Sequence, residues 1–222
     1  MKLIRAASFA AVVFAIANLY SLFLLSTPLT VTREWQLRSD WFAAYASLWM
    51  VGGWLALLSV FAWMLLLMTL MYAYIPAHRL STMLQSGLMM IGAVLLVIGI
   101  VIWMNLLPEA RDAGEAALID RLALSLLGAG FFMGGGVTAW IAVDLALLRK
   151  LPRLWLLPGL LAGLLAVPSP FLLPNPILLT PAMFLFFVWT VLFAVQRRMP
   201  AAYAEMSTGS LRPSTRQKWP LD

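Results

Sequence analysis

The feature that most constrains this chain is a succession of six long apolar stretches, at about residues 6–25, 44–73, 82–107, 122–148, 154–173 and 177–196. An apolar run of about eighteen residues or more is long enough to cross the hydrocarbon layer of a membrane as a helix. Lipid offers the backbone no hydrogen-bonding partner, so a spanning segment must close its own bonds, and a helix does this unaided. A membrane β-barrel would instead alternate in polarity over segments of about ten residues. These runs do not alternate. The expected fold class is an all-α integral membrane protein, a six-transmembrane-helix bundle. Residues 1–196 are expected to form one membrane domain. Residues 197–222, rich in Ser, Pro and basic side chains, are expected to form a disordered tail.

Composition narrows the chemistry further. Hydrophobic residues make up 63% of the chain and charged residues only 11%, outside the range of soluble domains. The chain has no cysteine, which excludes disulfides, Cys-ligated zinc and iron–sulfur clusters. Its single histidine, His78, excludes bis-histidine haem ligation within one chain. No metal and no cofactor is expected. A net charge of +6 could suggest nucleic-acid binding, but the placement of the basic residues points to membrane topology instead.

With the N-terminus in the cytoplasm, the inner side would hold Lys2, Arg5, Arg79, Arg149, Lys150, Arg153, Arg197, Arg198, Arg212, Arg216 and Lys218. The outer side would hold Arg33, Arg38, Arg111 and Arg121. Eleven of the fifteen basic residues then lie inside, as the positive-inside rule requires. Both termini are therefore expected to be cytoplasmic, in a bacterial inner membrane. Lys2 and Arg5 before an apolar run could begin a secretory signal, with Ala15–Ala17 as a cleavage site. The run continues to Leu25, longer than a usual signal core, and so reads as an uncleaved first helix. Arg197 and Arg198, with the tail, are expected to bind anionic lipid weakly, at about 1 kcal/mol per basic residue near the surface.

The fourth stretch carries the strongest candidates. Gly134, Gly135 and Gly136 lie at its midpoint, and Asp144 is the one acid inside any apolar run. Successive helical residues are about 100° apart, so the three glycines point to three sides of the helix. Gly130 and Gly134 form a small-xxx-small pair that lets a neighbouring helix approach closely. Two roles compete for the triplet: a break at mid-membrane where a solute binds, or close packing. Asp144 shares a face with Trp140 and Gly130, and stands five residues before Arg149. A carboxylate at this depth is costly without a partner, and Arg149, Lys150, Arg79, Lys2 and Arg5 are the expected partners. It serves either as a proton- or cation-coupling group or as half of a structural ion pair.

Other features carry less. Asn18 lies towards the middle of the first stretch, where interhelical hydrogen bonding is the default role. Residues 26–43 read as a loop with an aromatic belt, Trp35, Trp41, Phe42 and Tyr45, that could include a short interfacial helix. Residues 108–121 read as an acidic loop whose Glu109, Asp112 and Glu115 share one face. A hard cation needs six to eight oxygens, so a solvated cap is the simpler expectation. Prolines 158, 168, 170, 174, 176 and 181 give the last two stretches an irregular connection. No internal repeat, nucleophile motif or phosphate-binding loop is present.

These readings leave a non-catalytic membrane protein as the expectation. It would be an accessory subunit that meets a protein partner, or another copy of itself, through small-residue helix faces. The alternative is a small-solute or ion transporter, channel or substrate-binding membrane subunit, using a broken fourth helix and Asp144. A cavity lined by Asp144, Asn18 or the glycines would favour this second class.

Overall fold

A computed structural model describes residues 2–25, 27, 29, 33–75, 80–148, 151, 153–172 and 178–195. His78, Arg79, Arg149, Lys150, Arg197, Arg198 and the tail lie outside the described residues, as do the side chains of Lys2 and Arg153. Among the described residues the chain is helical, without a strand.

Among the described residues seven α-helices follow in order, α1 Lys2–Leu25, α2 Trp35–Tyr74, α3 Leu80–Leu106, α4 Ala113–Leu147, α5 Arg153–Ala166, α6 Ser169–Leu172 and α7 Leu179–Val195, with a 3-10 turn at Leu107–Glu109 after α3. Five stretches of these helices are long and apolar enough to cross a membrane, while α7 is a shorter apolar helix of 17 residues. Neighbours in sequence pack together from α1 to α5, α7 packs on α5, and α1 returns to α7. The six long elements thus close a ring. The most extensive contact is between α3 and α4.

Three segments differ from the sequence reading. Residues 35–43 are helical: α2 runs for 40 residues with a kink at Tyr45, whose φ of −133° and ψ of 32° are non-helical. At 1.5 Å per residue this is about 60 Å of helix, so the kink folds its first turns over the end of the bundle. There Trp41, Phe42 and Trp49 form a small separate core with Leu29, Leu107 and Ala116. The acidic segment is also mostly helical, because α4 begins at Ala113. Asp112 accepts hydrogen bonds from the N–H groups of Gly114 and Glu115, at 2.7 and 2.9 Å. Glu115 accepts from the N–H of Arg111 at 2.9 Å. These two acids satisfy orphan donors in the manner of a capping box. Finally, the fifth apolar stretch is two helices, interrupted at Val167–Pro168. Proline brings no N–H and disfavours a helical residue before it. Pro158 is accommodated inside α5.

The apolar core runs along the ring, with Leu66, Leu67, Leu70, Met89, Ile141, Leu145, Trp189 and Phe193 almost wholly buried. Glycine governs how closely the helices approach. A Cβ on Gly92 of α3 would lie 3.1 Å from the Gly134 nitrogen and 3.3 Å from the Gly130 oxygen. One on Gly99 would lie 3.1 Å from the Ala123 oxygen. Backbone meets backbone along this seam, as small-residue packing in membranes requires.

Candidate functional site

The three central glycines of α4 face three different surroundings. Gly134 receives the Trp63 ring of α2, 3.2 Å from where a Cβ would stand. Gly135 faces α5, where a Cβ would lie 2.7 Å from the Gly163 oxygen and 2.8 Å from the Ala166 Cβ. Gly136 has nothing within 4 Å of a Cβ position. The expected splay is present, and of the two roles open to the triplet it is close packing that is seen, not a break: α4 is one continuous helix from Ala113 to Leu147. Its intrahelical bonds survive because the glycines are held between close neighbours on two sides.

Gly134 and Gly135 border a half-open cavity of about 720 Å³ between the helices of the ring. Its lining includes Phe14, Tyr20 and Leu24 of α1, Trp49, Gly53, Ala56, Ser59 and Trp63 of α2, and Ile100 and Trp103 of α3. Leu127, Gly130, Gly134, Gly135 and Thr138 of α4 contribute, with Ala162 and Gly163 of α5 and Met183 and Phe186 of α7. A volume of this size lies within the range of small-molecule pockets, about 300–1,000 Å³.

Most polar donors on the wall are already used by the chain; the Ser21 hydroxyl also lines it. Trp63 Nε1 donates to Thr138 Oγ1 at 3.0 Å, and Thr138 Oγ1 donates to the Gly134 carbonyl at 2.7 Å. Tyr20 Oη donates to the Leu48 carbonyl at 2.8 Å, and Ser59 Oγ to the Leu55 carbonyl at 2.8 Å. Trp49 Nε1 donates to the Met104 carbonyl at 3.1 Å. What these groups leave facing the cavity is hydrocarbon and aromatic surface. Such a wall rewards apolar guests, at about 25 cal/mol per Å² of apolar surface removed from water.

Asp144 is not part of this cavity. Gln85 Nε2 of α3 donates to its Oδ2 at 2.8 Å, so the partner found among the described residues is a neutral amide, not a cation. Arg5 is described and exposed, whereas Arg79, Arg149 and Lys150 are not described. Gln85 is fully buried and its Oε1 has no hydrogen-bond partner. Replacing Gln85 by Leu removes the hydrogen bond to a charged acceptor, and a loss of about 1–3 kcal/mol in unfolding free energy is expected. Thermal unfolding in a mild detergent measures it; an unchanged midpoint would show that Asp144 does not depend on Gln85.

Asn18 and Trp140 do not converge with the glycines. Asn18 Nδ2 donates to the Phe14 carbonyl of its own helix at 2.7 Å, and Trp140 is half-buried on α4. Neither lines the cavity. The cavity therefore gathers Gly130, Gly134 and Gly135 and omits Gly136, Trp140, Asp144 and Asn18.

One polar constellation was not anticipated. Arg38 of α2 and Asp120 of α4 form a two-pronged salt bridge, Nη1 to Oδ2 at 2.7 Å and Nη2 to Oδ1 at 3.1 Å. Their side chains are each only 4% exposed. Trp103 Nε1 also donates to Asp120 Oδ1 at 2.7 Å, and the Arg38 guanidinium lies 5.8 Å from the centre of the Trp35 ring. Arg38 falls in the segment read from the sequence as an aromatic-belt loop, and Asp120 in the acidic loop read as a solvated cap. A signal was available: Ala116, Asp120, Ala123, Leu127, Gly130 and Gly134 recur at helical spacing on one face of α4.

Comparison with protein-family models, curated proteins and solved structures finds no significant match.

Proposed function

We propose that this chain is a membrane-embedded binding or transport subunit whose guest is an apolar molecule held between the helices. The 720 Å³ cavity at the glycine centre carries this reading. It adjoins two of the three central glycines, and the polar donors on its wall are largely spent on the chain itself. Guest and glycines belong together in this proposal: the small residues admit Trp63 and α5 closely while leaving the space on the α1–α2 side open.

The accessory-subunit reading relied on small-residue faces open to a partner. Gly92, Gly99, Gly130, Gly134, Gly135 and Gly163 are instead used between helices of the same chain, and this favours the binding role. The subunit is proposed to be non-catalytic. In this proposal α7 is the sixth span; its 17 residues reach about 26 Å at 1.5 Å per residue, close to the hydrocarbon thickness of about 30 Å. In this proposal both termini are cytoplasmic, in a bacterial inner membrane, the topology that assigns eleven of the fifteen basic residues of the sequence to the inner side.

An environment-sensitive apolar fluorophore, titrated into the full chain in maltoside detergent, tests the reading. Saturable binding at one site per chain is expected. Ala56→Phe places a ring in the lined space and should weaken that binding at least about tenfold, since a guest and a buried Phe compete for the same volume. The unfolding midpoint of the variant should be retained. Binding that is unsaturable, or unaffected by Ala56→Phe in a folded protein, would overturn the cavity role.

A further inference from the structure

A second cleft, of about 430 Å³, adjoins the apolar cavity at the end of the bundle where α2 and α4 begin. Arg33, Arg38, Asp120, Arg121, Ser125 and Pro170 are among its lining residues. Its charged lining is three arginines against one carboxylate. Asp120 is already engaged twice, by the Arg38 fork and by Trp103, and it offsets only one of the three cations. Arg33 and Arg121 are exposed. Arg38 is buried, and its Nε–H has no acceptor in the chain. A buried donor without a partner is costly, and it is satisfied when an anion or water enters.

The cleft and the cavity are contiguous in two respects. Leu124 belongs to both linings. Trp103, on the cavity wall, donates its indole N–H to Asp120 on the cleft wall. The cationic cleft and the apolar cavity thus meet at Leu124, with the Trp103–Asp120 hydrogen bond spanning their two walls. Arginine suits carboxylate and phosphate oxygens because its planar fork offers several parallel donors. The geometry points to an anionic amphiphile as the guest: one carboxylate or phosphate headgroup among Arg33, Arg38 and Arg121, and one apolar chain in the 720 Å³ cavity. This assignment rests on the apolar-guest proposal and adds the headgroup to it.

Binding of a sixteen-carbon fatty acid and of the alcohol of the same chain length separates the two layers of the claim. The chain is held in uncharged maltoside detergent, and quenching of tryptophan by brominated forms of both probes reads occupancy. The acid is expected to bind about tenfold more tightly than the alcohol, the worth of a charge-assisted hydrogen bond. Arg33→Gln combined with Arg121→Gln, both at exposed positions, should bring that ratio close to one while leaving the alcohol's affinity unchanged. Inorganic phosphate alone should not displace the acid, because it lacks the chain. Equal affinity for acid and alcohol, or an acid preference that survives the double substitution, overturns the headgroup assignment while the apolar cavity stands. Failure of both probes to bind overturns the cavity reading itself. Displacement by phosphate alone would make the cleft a free-anion site and likewise overturn the amphiphile.

Discussion

Asp120→Asn is expected to be among the most damaging single substitutions in this chain, lowering unfolding free energy by about 3–5 kcal/mol. The change is nearly isosteric, so packing at the site is preserved. What is lost is the negative charge that Arg38 meets through two hydrogen bonds at 2.7 and 3.1 Å. With both side chains only 4% exposed, Arg38 keeps little solvation of its own once the carboxylate charge is gone. A buried charge stripped of its partner is far more costly than the intact pair is favourable. The asymmetry supplies its own control: replacing both members, Arg38→Met with Asp120→Leu, should restore most of the loss. Chemical unfolding in mild detergent, followed by circular dichroism, measures all three chains. A double variant no more stable than Asp120→Asn would show that the pair is needed for its shape or its surroundings, not for charge compensation.

Gly135 and Gly136 should respond in opposite ways to the same substitution. At Gly135 a new Cβ would meet the Gly163 carbonyl oxygen at 2.7 Å and the Ala166 Cβ at 2.8 Å. Both distances are shorter than real Cβ contacts, and the first involves backbone that cannot rotate away. Gly135→Ala should therefore cost about 1–3 kcal/mol, the usual range for overpacking, and Gly135→Leu should prevent α4 and α5 from closing. At Gly136 a Cβ meets nothing within 4 Å, so Gly136→Ala should leave stability unchanged or raise it by up to about 1 kcal/mol through helix propensity. The adjacent positions share depth and helix, and differ only in the direction they face. Equal destabilisation at both would mean that backbone freedom, not the α4–α5 contact, is the reason for the triplet.

Much of this arrangement is legible in the sequence because lipid leaves few alternatives. Apolar length alone gives the long helices, and a 100° step per residue gives the splay of Gly134, Gly135 and Gly136. The separation of Asp144 from the glycines follows from the rise of about 1.5 Å per residue, which sets it nearer the end of the helix. The neighbours are less legible, since small and apolar side chains do not state which helix they will meet. Gly135 could have faced any helix of the bundle, and only the folded chain gives it Gly163 and Ala166.

The charged residues mislead for a different reason. Arg38 and Asp120 are 82 positions apart, one in a segment that reads as an aromatic-belt loop and the other in one that reads as a solvated acidic loop. Burial requires the α2 kink at Tyr45, which no proline or glycine marks, whereas the interruption after α5 is announced by Pro168. Gln85 adds a contact to Asp144 that spacing along one helix does not announce; Arg79, Arg149 and Lys150, three of its expected partners, lie outside the described residues.

The central claim is that the bundle holds one guest in its interior, and native mass spectrometry tests it most directly. The full chain and its Ala56→Phe variant would each be incubated with excess sixteen-carbon fatty acid and released from mild detergent. The wild-type chain should carry one tightly held molecule, and the variant should not. Adducts in the same graded, unsaturated number on both chains would be surface lipid only, and would contradict an interior site.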